Sequence, residues 1–245
     1  VVTVGACVLA VLTACASAPP RAYDASSQYE LARGLLEDGK AKQAAVEFQK
    51  LLYNYPESVW ADEAQMGLAA SYYQSEQYLL AEVAYRRVLD LYPAGPLAAE
   101  AEGMIGLTLL KRARKAELDQ EMTWRAKTYL ERFLVSHADH SIAPEARAGL
   151  EACIDRLAEK DYKNGSFYLK VGRPGPATWY FDRVLREYPE TSWAAKALLG
   201  RADSSRQKGD LEAATEDYEA LLEQHAGTGA ARTASQRLRR IRGET

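Results

Sequence analysis

Small and large apolar residues recur along the chain at fixed offsets. A Gly is followed five residues later by Ala, and four residues after that by an aromatic, at Gly39/Ala44/Phe48, Gly172/Ala177/Phe181 and Gly209/Ala214/Tyr218. Ala81/Tyr85 repeats the pair, although Glu76 replaces the Gly. Ala44 to Ala81 and Ala177 to Ala214 each span 37 residues, and Tyr-Pro closes three units at Tyr55-Pro56, Tyr92-Pro93 and Tyr188-Pro189. Residues four apart share one face of a helix. Each unit therefore predicts a helix whose small residue allows a close crossing with the helix before it, while its aromatic fills the space up to the next unit. Proline stops that helix, because it lacks the N–H and disfavours helical backbone in the residue before it. Such a hairpin leaves an apolar face that only the next hairpin can cover, so the stack is the stable object.

The spacing inside a unit matches the tetratricopeptide repeat, a helix–turn–helix of about 34 residues. Leu68, Ala69, Tyr72, Ala81, Tyr85, Val88 and Pro93 stand where that consensus places large, small, aromatic, small, aromatic, aliphatic and terminating residues. Leu31, Ala32, Ala44, Phe48, Leu51 and Pro56 fit likewise, as do Gly165, Tyr168, Ala177, Phe181, Val184 and Pro189. Residues 97–157 depart from the pattern. Ala101, Ile105, Leu109 and Ala113 keep helical spacing, and Tyr129 and Phe133 share a face, which predicts a third hairpin. Arg125 then occupies the small position, and the loop around Glu117 to Glu121 is long. From Pro144 to about Lys170 no strong breaker intervenes, so a long helix enters the fourth unit. The expectation is an all-α, right-handed solenoid of about five helical hairpins, three in residues 25–139 and two in residues 140–226.

The ends of the chain differ from this body. Residues 1–14 carry no charge and are too short to span a bilayer, which takes roughly 20 apolar residues; they read as an export signal. Leu12-Thr13-Ala14-Cys15 resembles a bacterial lipobox, which predicts a diacylglycerol and an N-acyl chain on Cys15, a membrane anchor without a spanning helix. Residues 15–24, with Ala16-Ser17-Ala18-Pro19-Pro20, read as the lipidated tether. In Gram-negative lipoproteins an Asp directly after the acylated Cys favours the inner membrane; with Ala16 in that place, the lipoprotein resemblance implies the periplasmic face of the outer membrane. Residues 227–245 are a basic tail: Arg232, Arg237, Arg239, Arg240 and Arg242 against Glu244 give +4, although the whole chain of 245 residues is at −3. That overall balance gives no reason to expect nucleic acid as a partner.

Candidate chemistry is sparse. The nucleotide, zinc-protease and serine-hydrolase signatures are absent from the sequence. His137, Asp139 and His140 fall in an expected loop between hairpins, and no third strong ligand joins the two histidines at recognisable spacing, so no metal is expected. Cys7, Cys15 and Cys153 form no CxxC pair, and Cys153 lies on an apolar helix face as a small core residue. The carboxylates Glu100/Glu102 and Glu216/Asp217 are expected on exposed helix faces, away from acid–base work. The chain reads as non-enzymatic and without a cofactor.

Several runs narrow the field. Asp38-Gly39, Gln43-Ala44-Ala45 with Phe48, and Tyr53-Asn54-Tyr55-Pro56-Glu57-Ser58 are followed by Ala70-Ser71-Tyr72-Tyr73 and Ala81-Glu82-Val83-Ala84-Tyr85. Leu157-Ala158-Glu159 leads into Ser166-Phe167-Tyr168-Leu169-Lys170 and Arg186-Glu187-Tyr188-Pro189-Glu190-Thr191. With the lipobox, this resembles the BamD (YfiO/ComL-like) lipoproteins of the outer-membrane β-barrel assembly machinery, from about Cys15 to Ala226. The resemblance implies a non-enzymatic subunit anchored through Cys15. Its N-terminal hairpins would engage unfolded barrel precursors, and its C-terminal pair would dock on a periplasmic domain of the barrel insertase (BamA-type), beside other lipoproteins of the complex. Barrel precursors end in alternating apolar and aromatic residues, so a groove offering Tyr29, Tyr72 and Tyr73 would suit them. For the insertase the candidates are Arg173, Tyr180, Arg183 and Arg186, with Tyr180 at or near the family's contact arginine and Arg183 one turn on. The alternative is another periplasmic repeat scaffold, of the cell-division or Tol–Pal-associated kind.

Overall fold

The computed structural model describes residues 23–244, and the described residues contain eleven α-helices and no strand. They run in order α1 (Ala25–Glu37), α2 (Ala41–Asn54), α3 (Ala61–Gln74), α4 (Tyr78–Leu91), α5 (Ala98–Arg112) and α6 (Glu121–Ser136). Then follow α7 (Ala143–Lys170), α8 (Pro174–Glu187), α9 (Ser192–Lys208), α10 (Leu211–Gln224) and α11 (Gly229–Arg242). The odd-numbered helices up to α9 are the A helices of five hairpins, and the even-numbered ones are the B helices. Each helix packs on its neighbours in sequence, and α1 touches α3, α7 touches α5 and α9, and α9 touches α11. None of the helices is long and apolar enough to cross a membrane.

The recurring Gly has a definite job. Gly39, Gly172 and Gly209 adopt φ of +76°, +73° and +85° at the end of an A helix. There the N–H of the next residue reaches back to close the helix: Lys40 to the Leu35 carbonyl, Arg173 to Tyr168 and Asp210 to Ser205. This satisfies carbonyls the helix end would orphan, in the left-handed backbone that Gly adopts most readily. In the second hairpin Gln77 makes the same bond to Tyr72 while Glu76 takes φ 60°. The third hairpin lacks the device. Ala113 is extended, and residues 113–120 form the long connection.

The repeat's small residues Ala44, Ala81, Ala177 and Ala214 are fully buried, as are Phe48, Tyr85, Phe181 and Tyr218 four residues on. Phe48 lies under Gly67 and Phe181 under Gly200, each 19 residues later on the next A helix, where an added Cβ would collide with the ring. In α6 the register is one residue later than the sequence suggests. Ala126, not Arg125, is the buried small residue, with Leu130 and Phe133 completing the face. The order of large residues is reversed there, aliphatic first and aromatic second, which is why the aromatic spacing misleads. Arg125 instead points at Glu82 of α4, 2.6 Å away. Glu82 is buried and also pairs with Arg86 and Arg112. An ion cluster thus fills the space between α4 and α6.

Residues 229–242 of the basic tail form α11, whose Ala231, Ala234 and Leu238 are buried against the last hairpin. The helix covers the apolar face that α9 and α10 would otherwise leave open. Two carboxylates expected on exposed faces are mostly covered. Asp217 receives both Arg201 Nε (2.9 Å) and Nη2 (2.6 Å), and Glu102 pairs with Arg132.

Candidate functional site

On the A side α1 packs against α3, and on the B side α2 and α4 leave a groove between them. The groove between α2 and α4, floored by α3, holds a cavity of about 450 Å3. Leu52 and Tyr53 form one wall, Leu80, Val83, Arg87 and Leu91 the other, and Leu68 and Tyr72 the floor. Its apolar lining is open to solvent, with Tyr53 87% and Val83 58% exposed. The polar groups at the floor are already engaged. Gln49 Nε2 donates to the Tyr72 hydroxyl at 2.6 Å, and Gln65 Nε2 donates to the Ala84 carbonyl at 3.0 Å. What remains for a ligand is apolar surface with the Arg87 cation at its edge. This is the composition of a pocket that takes apolar side chains and one orienting anion.

Of the three candidate groove tyrosines, Tyr72 lines this cavity. Tyr29 stacks on Trp60 with ring centroids 4.8 Å apart and packs against Phe48, within the core shared by the first two hairpins. Tyr73 faces Tyr78 edge-on at 5.6 Å, and burial raises its phenol above the usual range. The residues that dominate the cavity instead, Leu80, Val83 and Leu91, had a signal in the sequence. They are apolar yet lie off the Ala81/Tyr85/Val88 packing face of their helix.

The insertase-docking candidates gather on α8 and the end of α7. Tyr180 stacks on Tyr168 (centroids 5.6 Å apart, planes at 12°), Trp179 stands edge-on to Tyr180, and Phe167 edge-on to Tyr168. Phe167 and Trp179 are 60% and 56% exposed, an aromatic row that costs apolar hydration and is left open by the described residues. Arg183 sits 5.3 Å over the Trp179 ring, and its Nε donates to Asp161 at 2.7 Å. Asp161 is buried. Desolvation pushes its carboxyl up, and the Arg183 guanidinium opposes that rise. Arg183 is therefore partly committed to neutralising α7, a role invisible in the spacing. Arg186 pairs with its neighbour Glu187 on the surface, and Arg173 stands exposed at the N-cap of α8. Tyr180 and Arg183 also line a cavity of about 380 Å3 under the 113–120 loop, which Lys160 holds by donating to the Glu117 and Leu118 carbonyls.

Neither alternative chemistry gains from the geometry. His137 and His140 each lie 5.6 Å from the Phe133 ring, and no group of three or more metal-ligating side chains occurs among the described residues. Cys153 is buried, and burial pushes its thiol up to about 11, far from a thiolate at neutral pH. Cys15 and the lipobox lie outside the described residues.

Comparison with known proteins adds a family. The model of a family described as YfiO, outer membrane lipoprotein, matches residues 21–221. The outer membrane protein assembly factor BamD of Rickettsia prowazekii is 27% identical over 175 residues, 71% of this chain and 70% of that one. The protein of the same name from Vibrio cholerae is 24% identical over 217 residues, covering 84% and 90% of the two chains. Among solved structures, a tetratricopeptide repeat protein from Parabacteroides merdae aligns over 90% of this chain and 74% of its own, with 13% identity and a TM-score of 0.39.

Proposed function

This chain belongs to the YfiO family of outer membrane lipoproteins, and from that premise we propose that it is a non-enzymatic subunit of the outer-membrane β-barrel assembly machinery. Acylated Cys15 anchors it to the periplasmic face of the outer membrane. The groove between α2 and α4 receives apolar and aromatic side chains of unfolded barrel precursors, and the α8 surface docks on the periplasmic part of the insertase. The family match across most of the chain carries this reading. Physical support comes from the uncovered apolar groove in the N-terminal half and the uncovered aromatic row beside Tyr180 in the C-terminal half. Two separate open surfaces suit a protein that holds two partners at once.

The test is a pull-down of the tagged protein from its own detergent-solubilised envelope, with mass spectrometry of the bound proteins and of the N-terminal peptide. Recovery of an outer-membrane insertase with acylated Cys15 is the expected result. Recovery of cell-division or Tol–Pal components, or an unmodified Cys15, would sink the proposal. Leu80→Asp with Val83→Asp is expected to abolish capture of barrel precursors while leaving the insertase bound, since both side chains are exposed.

A further inference from the structure

The A-helix side of the C-terminal half carries a different kind of cavity, about 310 Å3, between α7, α9 and α11. Leu169, Leu199 and the Gly200 backbone give it an apolar floor, and one cation from each of three helices stands around it: Lys170, Lys196 and Arg237. Arg237 is fixed. It donates to one oxygen of Asp203, whose other oxygen accepts from the Tyr218 hydroxyl at 2.6 Å. The two lysines are not fixed in this way. Lys196 Nζ rests over the Trp193 ring at 3.9 Å, and neither Lys170 nor Lys196 forms an ion pair with an acid among the described residues. The lining therefore holds two positive charges in excess, on a chain whose net charge is −3. Of the three cations only Arg237, on α11, lies beyond residues 21–221 of the family match, whereas Lys170 and Lys196 lie within them.

We propose that this cavity docks a carboxylate-bearing segment of a partner protein. The occupant is an extended acidic peptide whose Asp or Glu side chain sits between Lys170 and Lys196, with a neighbouring apolar side chain resting on Leu169 and Leu199. Charge complementarity selects the anion. The recess between three helices selects a peptide, because a side chain can enter it while the flat plane of a bilayer meets only protruding groups. The site lies on the opposite side of the stack from the α2–α4 groove, so both can be occupied together.

The experiment is fluorescence anisotropy of a fluorescein-labelled, doubly capped peptide alternating Asp with Leu, and of its Asn counterpart, on the detergent-solubilised full chain. The Asp peptide is expected to bind and the Asn peptide to bind at least roughly tenfold more weakly. Lys170→Glu with Lys196→Glu is expected to weaken the Asp peptide by roughly tenfold or more, with circular dichroism and thermal unfolding unchanged because both lysines are exposed. Leu80→Asp with Val83→Asp leaves this binding untouched, which separates the site from precursor capture. Failure of the Asp peptide to bind, equal binding of the two peptides, or full binding to the charge-reversed variant overturns the proposal. Displacement by inorganic phosphate at constant ionic strength does so too, by reassigning the cavity to a phosphate.

Discussion

At Glu76 a residue with a Cβ holds the left-handed backbone that glycine holds in three sister turns. That conformation costs a non-glycine residue about 1–2 kcal/mol. Glu76→Gly is expected to raise stability by about 1 kcal/mol after the glycine's own entropy, or about 2–4 °C in thermal midpoint. Thermal denaturation followed by circular dichroism checks it, and a lower midpoint would mean the Glu side chain contributes a compensating contact. Arg183 and Asp161 make a second case. Asp161 is buried and its carboxyl already lies above the ordinary range through desolvation. Removing the opposing charge with Arg183→Gln is expected to destabilise by about 2–3 kcal/mol at neutral pH. The folded state of that variant holds the Asp161 proton more tightly than the unfolded chain does. Its deficit is therefore full above the raised folded pKa and shrinks as pH falls towards the unfolded value. Urea unfolding at two pH values reads this, and a deficit that grows on acidification would contradict it.

Within single elements, close approach governs. Gly67 on α3 lies against the buried ring of Phe48, so Gly67→Ala is expected to destabilise by about 1–3 kcal/mol through overpacking, and Phe48→Leu in the same chain to recover part of that loss. Equal stability of the two variants would locate the cost elsewhere. The same contact explains what could be read in advance. Ala44, Phe48 and their counterparts mark the hairpins because a helix crossing tolerates few residue types. The third hairpin resisted because Leu130 and Phe133 exchange sizes and Arg125 answers Glu82, a partner 43 residues away that no local spacing reveals. The α2–α4 groove was half legible. Tyr72 is legible as a tyrosine suited to barrel-precursor side chains, although its repeat position reads as core, whereas Leu80 and Val83 show as apolar residues off the Ala81/Tyr85/Val88 face of α4. Tyr29, a candidate for the groove, is instead stacked on Trp60, and that pairing joins separate hairpins.

Across the whole molecule, stability is shared between neighbouring hairpins and hardly beyond them. Deleting residues 227–245 uncovers the face that Ala231, Ala234 and Leu238 protect. Amides of α9 and α10 are then expected to exchange hydrogen faster while those of α1 to α4 keep their rates, and uniform acceleration would show a single cooperative unit instead. α7 is the exception to such locality. It contributes Ala143, Ala146 and Cys153 to the core of the second and third hairpins, and Leu157 and Ala158 to that of the fourth. Its 28 residues make a rod of about 42 Å with no loop in which to absorb a change of length. One inserted residue would turn everything downstream by about 100° and carry the α8 surface out of line with the N-terminal groove. Insertions and deletions among relatives should therefore collect in the 113–120 connection and avoid α7, or enter α7 only in whole turns.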